Sequence, residues 1–259
     1  MARSTFESCS NGASDKGVFG GGSNNTTYYN TLDHITISTN GNAQDFGDLS
    51  VGKSSLGATS NGTNNRGVFG GGYQPGNTSV IEYIAINSNG NAQNFGNLVG
   101  GTVHGLDATS NGINDRGIFE GGSNNDMEYI TISTTGNSIA FGNLLQVIYA
   151  NMATSNGINN RGVFGGGKNG SEITQNVIEY ITITSAGNSL DFGDLIVNTL
   201  NPGCTSNGVN NKGILAGGTV GSNIQTESIV SITINTLSNA SDFADLTYQR
   251  GICKAISNA

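Results

Sequence analysis

The sequence predicts an all-β protein, a five-bladed β-propeller built from four-stranded antiparallel blades. Three observations carry that reading: a fivefold internal repeat, strand-like apolar runs bounded by Gly/Asn turns in every copy, and one aromatic residue per copy near its end. The stretch "TSNGTNNRGVFGGG" from Thr59 returns as "TSNGINDRGIFEGG" from Thr109, "TSNGINNRGVFGGG" from Thr154 and "TSNGVNNKGILAGG" from Thr205, with an earlier variant, "CSNGASDKGVFGGG", from Cys9. Aligned on Ser10, Ser60, Ser110, Ser155 and Ser206, the copies lie 50, 50, 45 and 51 residues apart. Periods of this size with strand content point to propeller blades, and the missing 3.6-residue periodicity argues against helical repeats. The 259 residues fit one large all-β domain, 1–259, with repeats of approximately 1–57, 58–107, 108–152, 153–203 and 204–259.

Each copy divides into four strands. Strand a ends at "ATS", and strand b is "RGVFGG". Between them "SNGTNN" is a turn, because Asn and Gly accept positive φ at little steric cost, and the glycines after strand b release the chain into the next connection. Strand c is the β-branched run "LDHITIST" from Leu32, "IEYIAINS" from Ile81, "MEYITIST" from Met127, "IEYITITS" from Ile178 and "IVSITINT" from Ile229. Such Ile content suits a strand covered on both faces, as in a blade sandwiched between two others. Strand d follows a second Gly/Asn turn and carries Phe46, Phe95, Phe141, Phe192 and Phe243, each trailed by Leu49, Leu98, Leu144, Leu195 and Leu246. A ring placed once per blade is a wedge between sheets.

The order of an apolar strand ending in Gly-Gly, a β-branched strand, a Gly-containing turn and an aromatic plus Leu resembles the kelch repeat, over essentially the whole chain. Phe stands where the kelch repeat has Trp, and Ile mostly replaces the Tyr of its third strand. The wording "GVFGGG…IEYITI…GNA…DFGDL" is more similar to kelch-like arrays in virion proteins of tailed phages and environmental viruses. That resemblance implies a structural or adhesion role on a virion. Closure has two candidates for one place, since both "RSTFESCSNG" at the start and "RGICKAISNA" at the end fit strand a. The expectation is that one completes the ring by lying inside blade 1 and the other is displaced or contacts a neighbour.

The a-to-b and c-to-d turns belong to one face of the disc and hardly differ between copies, whereas the b-to-c and d-to-a connections on the other face differ freely. Loops released from a fold requirement are where binding surfaces are built. The variable face is therefore the recognition face, with Tyr28, Tyr29, Tyr73, Gln74, His104, Glu120, Tyr149, Lys168, Glu172 and Tyr248 as its partner-binding candidates. Aromatics and amides of this kind suit a sugar or a protein surface. Glu120 takes a position held by Gly in three copies and is expected near the connection containing His104. On the invariant face Lys16, Arg66, Arg116, Arg161 and Lys212 recur once per blade, as a ring for an anion or an acidic partner or as structural ion pairs.

A net charge of −8, from 10 Lys and Arg against 18 Asp and Glu, disfavours nucleic acid, which needs clustered cations. Cys9, Cys204 and Cys253 are odd in number with no CxxC spacing, so neither a disulfide framework nor a thiolate metal site is expected. Two histidines and no metal-binding signature leave no expected metal or cofactor. No secretion signal or membrane-spanning run is read, so membrane insertion is not expected. Strand a supplies only Glu7 and Asp107 as axial carboxylates, with Lys254 at the matching place near the end. A glycosidase needs convergent, properly spaced carboxyls, so the expectation is a non-catalytic module, self-associating or bound to other virion or scaffold proteins or to a host glycan. An intracellular kelch-type scaffold and a five-bladed glycosidase are the alternatives.

Overall fold

The computed structural model describes residues 3–24, 26–101, 104–122, 124–221 and 224–257. Five antiparallel four-stranded sheets are arranged as the blades of a propeller, each running a, b, c, d from the axis outward. Blade 1 comprises Glu7–Ser10, Lys16–Gly20, Thr31–Thr36 and Gln44–Asp48. Blade 2 comprises Gly57–Ser60, Arg66–Gly70, Val80–Ala85 and Gln93–Asn97. Blade 3 is built from Leu106–Ser110, Arg116–Gly121, Asp126–Thr131 and Ile139–Asn143, and blade 4 from Met152–Ser155, Arg161–Gly165, Val177–Thr182 and Leu190–Asp194. In blade 5 the strands are Gly203–Ser206, Lys212–Ala216, Ile224–Thr233 and Ser241–Arg250, the last two longer than their counterparts.

Local chemistry explains the sharp a-to-b turn. In blade 2 a single 3-10 turn, Gly62–Asn64, is followed by Asn65 in the left-handed region at φ 65°, and Asp15, Asp115, Asn160 and Asn211 repeat that conformation. Asn and Asp tolerate it because their short polar side chains bond locally. The Asn61 side-chain oxygen accepts the Arg66 N–H at 2.8 Å, which pins the start of strand b. After strand b, Gly72 lies at φ 105°, where a Cβ would stand 2.9 Å from the Ser54 carbonyl oxygen, so only glycine fits.

Each sheet hides its apolar face against the next. Val18, Leu32, Phe46 and Leu49 of blade 1 pack on Ala58, Phe69, Ile84 and Ile86 of blade 2. Hydrogen bonds stitch the same boundary. Asn11 Nδ2 donates to Asn65 Oδ1 at 2.9 Å, and Asn61 to Asp115, Asn111 to Asn160 and Asn156 to Asn211 do likewise at 2.8 to 2.9 Å. Nearer the axis the hydroxyls of Ser60, Ser110, Ser155 and Ser206 each donate to the backbone oxygen of the matching serine one blade earlier, at 2.6 to 2.7 Å.

The N-terminal candidate supplies strand a of blade 1. The C-terminal one forms a sixth axial segment, Cys253–Ser257, between blade 5 and blade 1, and pairs in neither sheet. Cys253 N–H donates to Asn201 of blade 5 at 3.2 Å, and the Ser10 hydroxyl of blade 1 donates to the Ser257 carbonyl at 2.7 Å. The segment thus joins the serine series, but no strands b to d stand outside it among the described residues. The effect shows at one ring: Phe46, Phe95, Phe141 and Phe192 are 2 to 4% exposed, whereas Phe243 of blade 5 is 51% exposed.

That contrast separates two identical substitutions. Phe192→Ala is expected to cost about 3–5 kcal/mol, as for a fully buried ring, and Phe243→Ala less than about 1 kcal/mol. Urea unfolding of both variants measures the difference, and equal losses would mean that blade 5 is covered in solution.

Candidate functional site

The variable face is built on short tethers. In blades 1, 2, 4 and 5 the connection entering the blade pairs with the residues just after its strand b, at Ser4 with Ser23, Ser54 with Tyr73, Ile148–Tyr149 with Lys168–Asn169, and Thr199–Leu200 with Thr219–Val220. The loops beyond these tethers differ in length and sequence, but their roots are held by backbone bonds. Inside them lies a belt of left-handed residues, Thr5, Ser55, Gly105, Ala150 and Asn201, at φ 52 to 70°. Each later member donates its N–H to the carbonyl of the one before, from Ser55 to Thr5 through Asn201 to Ala150, at 2.8 to 2.9 Å. Four of the five are not glycine, so the belt holds strained backbone in place.

On this frame the structure brings together several of the expected recognition residues. Tyr28 and Tyr73 lie 5.6 Å apart between ring centroids, and Tyr73 and His104 lie 5.7 Å apart. Tyr73 is 37% exposed, His104 is exposed and Tyr28 is half-buried, and the three rings form a row across blades 1 to 3. Tyr73 is fixed by two backbone bonds to Ser54, of 2.7 and 2.8 Å. Tyr149 continues the row beside Gly105, the residue after His104. Its hydroxyl bonds Glu172, which also pairs with Lys168 at 3.6 Å. Desolvation, and then the bond to Glu172, push the Tyr149 hydroxyl up to about 12, while the same bond holds the Glu172 carboxyl below its ordinary value. Tyr29 accepts from Asn24 Nδ2 at 2.7 Å at the edge of the row, and Gln74 follows Tyr73 in a two-residue hairpin with Gly76–Asn77. Tyr248 is apart from them, on strand d of blade 5 and 74% exposed.

Glu120 is placed elsewhere. Its side chain is buried, and both carboxylate oxygens accept from Asn151 Nδ2 at 2.9 and 3.0 Å, so its partner belongs to the connection following blade 3 and not to that of His104. Burial pushes its carboxyl well above the usual range, and the Asn151 bond offsets this only in part.

Four of the five basic residues of the invariant face reach across a blade boundary. Arg66 stacks over Tyr83 at 4.3 Å and donates to Ile132 and Ser133 of blade 3 at 3.2 and 2.7 Å. Arg116 over Tyr129 and Arg161 over Tyr180 reach Ile183 and Ile234 in the same way, each at 3.2 Å. Lys16 reaches Asn89 of blade 2 at 3.2 Å, and Lys212 lies over Phe243 of its own blade at 4.6 Å.

At the axis the closing segment carries a charge lock. Lys254 Nζ stands 2.5 Å from Glu7 Oε1 and 3.4 Å from Asp107 Oδ2. The small cavity around it is lined by Ala58, Ala153 and Cys204 as well as these groups. Burial pushes the Glu7 carboxyl up to about 8 against the pull of Lys254, and pushes the Cys204 thiol up to about 12. Burial alone would lower Lys254, but Asp107 and Glu7 hold it above the ordinary lysine range. A second buried pair, Lys53 with Glu82 at 2.8 Å, links the connection after blade 1 to strand c of blade 2. Burial would raise Glu82, yet Lys53 and the Ser50 N–H bring it below its ordinary value. Sequence reasoning missed this pair; the only signal was a lysine in the apolar-flanked "VGKSSL".

Among the described residues no group of three or more His, Cys, Asp or Glu is placed to hold a metal, and no helix is long and apolar enough to cross a membrane. The chain matches no protein-family model and no curated protein.

Two pH dependences follow. A buried carboxyl raised from 4.5 stabilises fully below that value, and the contribution is lost as pH rises through its folded value, near 8 for Glu7. Lys254→Met removes the cation opposing that rise, so its penalty of about 3–5 kcal/mol should stay level from pH 4.5 to pH 8 and grow above pH 8, where Glu7 ionises beside Lys254 but stays protonated in the variant. Glu120→Gln should stabilise the protein progressively over the pH range above 4.5, since the amide has no charge to bury. Denaturant unfolding at several pH values checks both, and pH-independent differences would refute the assignments.

Proposed function

We propose that this propeller is a non-catalytic recognition module that binds carbohydrate through the aromatic row on its variable face. The row Tyr28–Tyr73–His104 carries the reading, because clustered, partly exposed aromatic rings stack on the C–H faces of sugars. Gln74 and the Lys168–Glu172 pair add polar groups beside it for hydroxyls. The backbone tethers support it further, since a pre-organised surface loses little conformational freedom on binding. Catalysis is no part of the proposal: Glu7 and Asp107 converge on one lysine, and Glu120 is held by Asn151 in the interior. Similarity of the repeat wording to arrays in tailed-phage virion proteins supports a place on a particle surface, where the ligand would be a host glycan.

Glycan-array screening of the intact protein is expected to return a limited set of sugars. Tyr73→Ala is expected to weaken binding to them at least about tenfold while leaving the unfolding midpoint within a few degrees. An array without hits, or hits indifferent to Tyr73→Ala and Tyr28→Ala, would overturn the proposal. Release of reducing ends from a bound polysaccharide would overturn its non-catalytic part.

A further inference from the structure

Blade 1 departs from the repeat at two positions that act together. In blades 2 to 4 the tyrosine of strand c, Tyr83, Tyr129 or Tyr180, stacks with the arginine that opens strand b, 4.3 to 4.6 Å from its guanidinium carbon. Blade 1 has His34 in place of the tyrosine and Lys16 in place of the arginine, and both changes shorten the side chain. Lys16 Nζ lies over Phe46 at 5.6 Å and reaches Asn89, leaving His34 without a cation above it. The strand register is unchanged, since His34 stands opposite Gln44 as Tyr83 stands opposite Gln93. In blade 2 the Tyr83 hydroxyl donates to Gln93 Oε1 at 2.6 Å. An imidazole has no hydroxyl to offer, and the Gln44 side chain makes no hydrogen bond among the described residues. His34 shares a face with Leu32, two residues before it, and meets Phe46 edge-on at 5.8 Å. Leu32 and Phe46 both pack on blade 2, so the departure lies on the side of the sheet that blade 2 covers.

Beside the shortened pair is a cavity of about 170 Å³, lined by His34, Thr36, Thr39, Asn40, Asn42 and Gln44 along strand c, the c-to-d turn and the start of strand d. His34 is its buried wall, 8% exposed, and its Nδ1 is shut off from solvent without a hydrogen-bond partner. Nε2 is then the ring nitrogen left for another molecule. The amides and hydroxyls around it belong to exposed residues. The volume equals that of about six water molecules at about 30 Å³ each, which is also the room one pyranose ring needs. Side-chain amides and hydroxyls both donate and accept, and no charged side chain lines the cavity. A carboxylate or phosphate would therefore meet no cation in the lining, and an ammonium no carboxylate. A compact ligand with several hydroxyls and no charge matches every polar group present.

We propose that this cavity is a binding site for a single neutral pyranose unit, with one sugar hydroxyl between His34 Nε2 and Gln44. That hydroxyl takes the role that the tyrosine hydroxyl has toward Gln93 in blade 2. A free monosaccharide and the end unit of an oligosaccharide share this chemistry. The site lies by the c-to-d turn, on the invariant side of the disc, and the proposal does not rest on the aromatic row of the opposite face.

The chain has two histidines, His34 and His104, so its imidazole C–H signals in proton NMR are few, and His104→Gln assigns them. Titrating the full 259-residue chain with glucose, galactose and mannose through the millimolar range is expected to move the His34 signals saturably with at least one of the three. Saturation transfer to the sugar follows the variants. His34→Tyr, which restores the residue of blades 2 to 4, should abolish binding. Gln44→Ala, at an exposed position, should weaken it at least about fivefold, and circular dichroism checks that both variants fold. Tyr73→Ala should leave the His34 shifts unchanged, which separates a failure here from a failure of the aromatic row. Disaccharides of the sugar that binds identify the end unit of a chain as the ligand if they bind as well, and a free sugar if they are excluded. The proposal falls if none of the three sugars gives a saturable shift, or if binding survives His34→Tyr undiminished. It falls equally if glucuronate or glucosamine binds more tightly than the neutral sugars.

Discussion

No blade of this protein can bury its own apolar faces. A four-stranded sheet has two of them, and with strands of four to six residues in blades 1 to 4 and no α-helix among the described residues to cover it, each sheet depends on the sheets beside it. The rest of the architecture answers that dependence. The wedge Phe and its Leu fill the space between sheets, the Tyr of strand c meets that Phe edge-on at 6.2 to 6.3 Å in blades 2 to 4, and the arginine above them ties the ring stack to the next blade. Close approach at the rim then dictates composition. Gly47, Gly96 and Gly142 face Gly90, Gly136 and Gly187 of the following blade, with room for no side chain between the two backbones. The abundance of glycine is thus a consequence of sheet stacking and turn geometry rather than of disorder.

The two faces of the disc differ for the same reason. Turns on the invariant face take part in the boundary through their Asn and Ser side chains, so a change in any of them breaks a bond to another blade. On the variable face the constraint stops at the backbone tethers and the left-handed belt, and the side chains beyond it are free. Blade 2 uses that freedom for a tight hairpin that carries Tyr73 outward, and blade 4 for a longer loop that folds Glu172 back onto Tyr149. A rigid base under differing tips is the arrangement that places binding groups without loosening the fold.

Much of this was legible in the sequence because repetition amplifies weak local signals. One Asn-Gly turn is ambiguous, but five at matched offsets fixed the strand order, the turn positions and the identity of the two faces. Phe243 illustrates the limit. By its spacing it equals Phe192, and only the structure shows that no further sheet lies against it among the described residues, since exposure depends on what stands in the next place around the axis. Glu120 was legible as an anomaly but not as to partner, because the choice between the connections on either side of a blade is a matter of side-chain direction. Lys53 left little trace, since a lone lysine in a connection reads as solvated until its carboxylate is found in another blade. The recurring arginines were visible as a ring of charge; their stacking on Tyr and their bonds to the next blade emerge only when the strands are in register.

The charges buried at the axis lie where the repeat departs from itself. Glu7, Asp107 and Lys254 occupy one equivalent axial position in three segments, and the others hold Gly57, Met152 and Gly203 there. Such a cluster is poor evidence of net stability, because desolvating three ionisable groups offsets most of their attraction. Its value lies in specificity. The final segment makes few backbone bonds and belongs to no sheet, so an apolar residue at its centre would leave its register against blades 5 and 1 weakly determined. A lysine that must meet both Glu7 and Asp107 has one seat, and the Ser257 carbonyl then falls where the Ser10 hydroxyl reaches it. Both axial carboxylates are thereby committed to one cation, which holds Cys253–Ser257 in place between blades 5 and 1.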